Sequence, residues 1–110
     1  MSESVPLEIS VEEYDRMRRD GVRHTLLDVR EPKEFANSAL SGSLDIPMNE
    51  VPARIGDLPR EEPLVVLCRT GNRSGKVVAW LRHQGYDNAT NLAGGINAWA
   101  QRIDTSMRTY

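Results

Sequence analysis

Short apolar runs alternate with amphipathic stretches along most of the chain. PLEI near the start reads as a strand. It is followed by Ser10-Val-Glu-Glu13, a capping-box spacing that opens a helix through YDRMRRD, with Gly21 as its stop. Tyr14 and Met17 share one face of that helix and read as a core stripe. HTLLDV over 24–29 has the continuous hydrophobicity of a buried strand, and EPKEFANS after it reads as a short helix with Pro32 in its first turn. SLDIP predicts another short strand, and NEVPARIGDLP a weak helix interrupted by proline and glycine. PLVVLC is the clearest strand of all. The helix SGKVVAWLRHQ follows it with Val77, Val78, Trp80 and Leu81 among its apolar positions and Gly85 as its stop; ATNL, AGG and the helix INAWAQRI complete the pattern. Strands separated by helices of this length imply parallel pairing, so the predicted class is α/β with helices on both faces of the sheet.

Length and composition limit what this pattern can become. The 110 residues are 39% hydrophobic and 27% charged, which fits one soluble domain spanning 1–110 with its core at about 7–102. No repeat, low-complexity tract or linker marks a second unit. A formal net charge of -2 gives no general attraction to nucleic acid or an anionic membrane. No apolar run has the length of a membrane span, and MSESVPLEIS carries neither the basic flank nor the apolar core of a signal sequence, so a cytoplasmic protein is expected. One cysteine and two distant histidines make neither an internal disulfide nor a Cys/His metal site.

That one cysteine changes the picture. Cys68 ends the strand PLVVLC and opens RTGNRSG, just before a helix. A tight strand-to-helix turn leaves the first helical amides unpaired and aimed into the turn, where they favour an anion such as a thiolate. Arg69 and Arg73 are the expected cations. Gly71 and Gly75 let the backbone approach a bound anion, Asn72 tolerates a left-handed conformation, Thr70 and Ser74 add hydroxyl donors, and Ser74 is a candidate N-cap. The competing reading of a single cysteine is a small buried hydrophobe. Its polar successors favour a nucleophile instead.

In an open parallel sheet, functional residues gather at the carboxyl ends of strands, and Asp28-Val29-Arg30 ends HTLLDV as Cys68 ends PLVVLC. Asp28 is positioned to accept hydrogen bonds from loop amides or to orient an arginine, and Arg30 to face the pocket or pair with Glu31 or Glu34. The structural alternatives are a strand-end turn for Asp28 and a surface ion pair for Arg30. His24 and His83 read as structural, and Trp80 and Trp99 as core anchors.

DVREPKEF, SGSLDIP, VVLCRTGNRS and NLAGGINAW resemble, in that order, the successive signatures of the rhodanese family, over about residues 7 to 102. The tail RIDTSMRTY resembles the ends of rhodanese domains fused to enzymes that adenylate sulfur-carrier proteins. The resemblance implies a five-stranded parallel sheet flanked by helices on both faces. It also implies a sulfurtransferase that carries sulfane sulfur as a cysteine persulfide. Cys68 is then the carrier, Arg69, Thr70, Gly71, Asn72, Arg73 and Ser74 its cradle, and Asp28 and Arg30 its support. Where the family often has GHIPGA, the chain has SALSGS, with Ala39 replacing the histidine.

The chemistry implied takes sulfur from a small donor such as thiosulfate and gives it to cyanide, a thiol or a sulfur-carrier protein, without a metal or organic cofactor. Two other readings stand beside it. A phosphatase or arsenate reductase of the related cysteine-loop type has Cys-x5-Arg, whereas Cys68 and Arg73 are spaced Cys-x4-Arg, a ring better matched to one added sulfur. A non-catalytic rhodanese-like interaction module commonly lacks the cysteine.

Overall fold

The structure, a computed structural model, describes residues 5–110. The first four residues of the segment read for a signal sequence lie outside that range. The elements follow the order β1 (Glu8–Ile9), α1 (Val11–Arg19), β2 (Thr25–Asp28), α2 (Pro32–Asn37), β3 (Leu44–Asp45), β4 (Leu64–Leu67), α3 (Asn72–His83), β5 (Ala89–Leu92) and α4 (Gly95–Arg102). All strands pair in parallel, in the order β1-β5-β4-β2-β3.

Local chemistry starts and stops these elements much as the pattern predicts. The Glu13 amide donates to Ser10 Oγ at 3.0 Å and the Ser10 amide to Glu13 Oε1 at 3.1 Å, a complete capping box for α1. Pro32 takes the first position of α2, where its missing amide proton is not needed. NEVPARIGDLP is a correction. It forms two short 3₁₀ segments, Met48–Glu50 and Pro52–Asp57, because Pro52 removes a donor and Arg54 leaves helical geometry.

Residues along β4 alternate between two cores. Leu64, Val66 and Cys68 join Val77, Val78 and Leu81 of α3, while Val65 and Leu67 join Tyr14 of α1 and Ile96 and Trp99 of α4. Burying each such aliphatic side chain stabilises the fold by roughly 1.5–3 kcal/mol, so both faces of the sheet are held by packing. The winding then places the site. The chain moves outward from β2 to β3 in one direction and from β4 to β5 in the other, so the order reverses between β2 and β4. A crevice forms at the carboxyl ends on either side of such a switch point. Asp28 is in register with Leu67, directly before Cys68.

Candidate active site

Cys68 follows β4 immediately, and its sulfur is met by the start of α3. The Gly71 amide donates to Cys68 Sγ at 3.1 Å, and Ser74 Oγ lies 3.2 Å from the same atom. Gly71, at φ +95°, takes the left-handed turn expected of Asn72 and occupies the N-cap position expected of Ser74. Asn72 is already helical, and the helix begins two residues before Ser74.

Ser74 is fully buried, and its hydroxyl donates to Asn91 Oδ1 at 2.6 Å. Asn91 was not singled out in the sequence. Its amide nitrogen donates to the Gly71 carbonyl at 3.1 Å, so one β5 side chain braces both ends of the α3 entrance. A polar residue inside the buried strand ATNL was the available signal. Gly75 lies beside this brace, where a Cβ would come within 3.4 Å of Asn91 Nδ2.

The turn is fastened from behind by the start of α4. The Ile96 and Asn97 amides donate to the Cys68 and Arg69 carbonyls at 2.9 and 3.1 Å. This contact requires Gly95, because at φ +62° a Cβ would come within 2.5 Å of the Arg69 carbonyl oxygen and closer still to that of Cys68.

Burial pushes the Cys68 thiol up, but the Ser74 hydroxyl and the amides of Ser74, Thr70 and Gly71 outweigh it and leave the thiol below its ordinary value. Of the amides and arginines expected to favour the thiolate, the amides and the Ser74 hydroxyl are the donors that lower the thiol. Arg73 instead pairs with Glu34, Nη1 to Oε1 at 2.6 Å and Nη2 to Oε2 at 2.9 Å. That contact, against burial and with help from Tyr110 and the Glu31 amide, holds the Glu34 carboxyl down to about 2. Arg69 is exposed and lies over the Tyr110 ring, 4.8 Å from its centre. The Thr70 side chain is also exposed.

Asp28 and Arg30 are both fully buried. Asp28 Oδ1 accepts from the Arg30 amide at 3.1 Å and from Nε at 3.0 Å, while Oδ2 accepts from Nη2 at 2.7 Å. Asp28 thus orients an arginine, one of the two roles expected of it. Arg30 does not lie on the surface, and it reaches the Glu34 carbonyl rather than either glutamate carboxylate. It also donates to the Ser38 carbonyl at 2.6 Å and the Tyr110 hydroxyl at 2.8 Å. Burial opposes its charge, but Asp28 and Tyr110 overcome that penalty.

Cys68 is 1% exposed, with aliphatic side chains on its strand side and loop donors on the other. It is thus buried, yet in a polar-capped setting that an inert core thiol lacks. His24 bonds to the Tyr14 hydroxyl at 2.9 Å and Trp99 is buried beside Tyr14, in keeping with structural roles for both. Among the described residues, no helix is long and apolar enough to cross a membrane.

The family model described as a rhodanese-like domain matches residues 10–102. A sulfurtransferase of Allochromatium vinosum is 37% identical over 94 residues, covering 86% of this chain and 88% of that protein. The adenylyltransferase and sulfurtransferase MOCS3-2 of Zea mays is 38% identical over 109 residues, covering 93% of this chain but 23% of the maize protein. Among solved structures, the human single-domain sulfurtransferase TSTD1 superposes with a TM-score of 0.78 at 28% identity, covering 89% of this chain and 98% of that one. Sequence match, sheet order and the turn that carries Cys68 agree: this chain belongs to the rhodanese-like domain family.

Proposed function

We propose that the chain is a sulfurtransferase that carries sulfane sulfur on Cys68 as a persulfide. The observation that carries this reading is one buried sulfur that accepts from the Gly71 amide at 3.1 Å and has the Ser74 hydroxyl within turning reach at 3.2 Å. Relatives named sulfurtransferases support it.

In the first half-reaction the Cys68 thiolate attacks the outer sulfur of a donor such as thiosulfate. A new S–S bond forms, the donor's S–S bond breaks, and sulfite leaves with the electron pair. In the second, a nucleophile such as cyanide or a thiolate attacks the terminal sulfur, and Cys68 departs as thiolate. The chain's one cysteine leaves no internal thiol to discharge the persulfide, so the acceptor comes from outside. A sulfur-carrier protein fits that place, and the similarity to a maize adenylyltransferase and sulfurtransferase supports it. Losing one well-placed donor of the cradle weakens transition-state stabilisation by about 3 kcal/mol.

The Cys-x4-Arg spacing supports sulfur transfer over phosphoryl transfer, since the tighter ring matches one added sulfur. One rhodanese-like domain, with its core at about 7–102, is the working unit, and a free nucleophilic thiol suits a reducing compartment such as the cytoplasm. Steady-state thiosulfate:cyanide transfer tests the reading. Parallel lines in double-reciprocal plots, abolished in Cys68→Ser, are expected; transfer retained by Cys68→Ser rules it out.

A further inference from the structure

Tyr110 lies 42 positions beyond Cys68 in the sequence and yet touches three of the charged groups around the cysteine turn, Arg30, Glu34 and Arg69. Its ring lies under the Arg69 guanidinium at 4.8 Å. Its hydroxyl accepts from Arg30 Nη1 at 2.8 Å and donates to Glu34 Oε2 at 2.6 Å, the same carboxylate oxygen that accepts from Arg73 Nη2 at 2.9 Å. The phenol holds its proton for this purpose, its ionisation being pushed up by burial and by the Glu34 charge.

The placement of Tyr110 is itself fixed. Asn97 Nδ2 donates to the Tyr110 main-chain oxygen at 3.0 Å, and the Tyr110 amide donates to Asn97 Oδ1 at 3.2 Å. The Asn97 amide meanwhile donates to the Arg69 carbonyl at 3.1 Å. One α4 residue thus holds the backbones of Arg69 and Tyr110 in register, and the cation–π contact between them is built rather than incidental.

The charge balance gives this arrangement a purpose. Three guanidinium groups, of Arg30, Arg69 and Arg73, face two carboxylates, of Asp28 and Glu34, and the two carboxylates are taken by Arg30 and Arg73. The remaining positive charge sits on exposed Arg69, beside Cys68. Held on a ring, that charge is displayed in one place without being neutralised.

We infer that Tyr110 is a positioning residue that displays Arg69 and steadies the Glu34–Arg73 pair, and so sets the preference for a doubly charged sulfur donor. This rests on the sulfur-transfer reading above. Two donors separate charge from fit: thiosulfate, a dianion, and methanethiosulfonate, a monoanion. Tyr110→Ala loses both ring and hydroxyl, and is expected to raise KM for thiosulfate about fivefold and for methanethiosulfonate about twofold, with kcat little changed. Tyr110→Phe keeps the seat of Arg69 and is expected to recover most of the thiosulfate preference. Equal losses on the two donors, or a loss on kcat alone, overturn the inference. If Tyr110→Ala unfolds, Tyr110→Phe decides alone: a thiosulfate preference near that of wild type supports the ring's role, and a preference abolished with the ring still present contradicts it. A wild-type protein that takes sulfur from neither donor refutes the underlying sulfur-transfer reading instead.

Discussion

Ser74 directs its hydroxyl at Asn91 Oδ1 from 2.6 Å while standing 3.2 Å from Cys68 Sγ, so a single proton faces two acceptors. The Asn91 orientation is dictated, because the Gly71 carbonyl at its other end only accepts. When the thiol ionises, the hydroxyl is the nearest side-chain proton able to turn toward sulfur. Ser74→Ala is therefore expected to raise the thiol pKa, because it removes a hydrogen bond to the charged form. The pH dependence of Cys68 alkylation measures it, and an unshifted acid limb would show that the amides act alone.

Gly95 allows two helical amides to grip the carbonyls of Cys68 and Arg69. Gly95→Ala combines a clash with a left-handed φ of +62°, and is expected to destabilise the fold by about 2 kcal/mol or more. Sulfur loading should fall as well, because the turn must shift away from α4. Urea unfolding and loading assays check both effects, and a variant unchanged in each would mean the grip is dispensable.

Asp28 and Arg30 form a pair with no solvent exposure, and Arg30 ties Ser38, Glu34 and Tyr110 to it. Removing one partner leaves the other charge buried, at a cost of roughly 3–5 kcal/mol. Asp28→Ala should thus lower the unfolding midpoint far more than a surface substitution such as Lys33→Ala. A difference below about 1 kcal/mol would mean that water enters to solvate the orphaned guanidinium.

The Glu34 carboxyl is held down to about 2 from an ordinary 4.5, with the Arg73 contact as the largest cause. A carboxylate whose folded value is depressed contributes stability that is fully present above its unfolded value and is lost as pH falls through the folded one. Glu34→Gln is expected to be destabilised relative to wild type by a constant amount from neutrality to about pH 5, and the gap should narrow as pH falls toward about 2. Chemical unfolding at several pH values measures this. A gap that is independent of pH down to about 3 would contradict the assignment.

The strand–helix alternation was legible because parallel strands buried on both faces must be continuously apolar, as in HTLLDV and PLVVLC, and because capping residues such as Ser10 and Pro32 act locally. Cys68 was legible for a related reason, since an abrupt change from VVL to RTGNRS marks a strand end. Asn91, Gly95 and Tyr110 escaped because their roles exist only after β5, α4 and the tail have packed against the turn. The partners of the arginines escaped for a similar reason: Arg73 meets Glu34 and Arg69 meets Tyr110 only once the chain has folded.

The central claim concerns which atom carries sulfur, and intact-mass spectrometry after incubation with thiosulfate tests it most directly. Wild-type protein should gain about 32 Da, one sulfur, lose it on addition of cyanide, and show no gain in Cys68→Ser. Wild-type protein that stays at its starting mass, or a gain that persists in Cys68→Ser, would contradict the account.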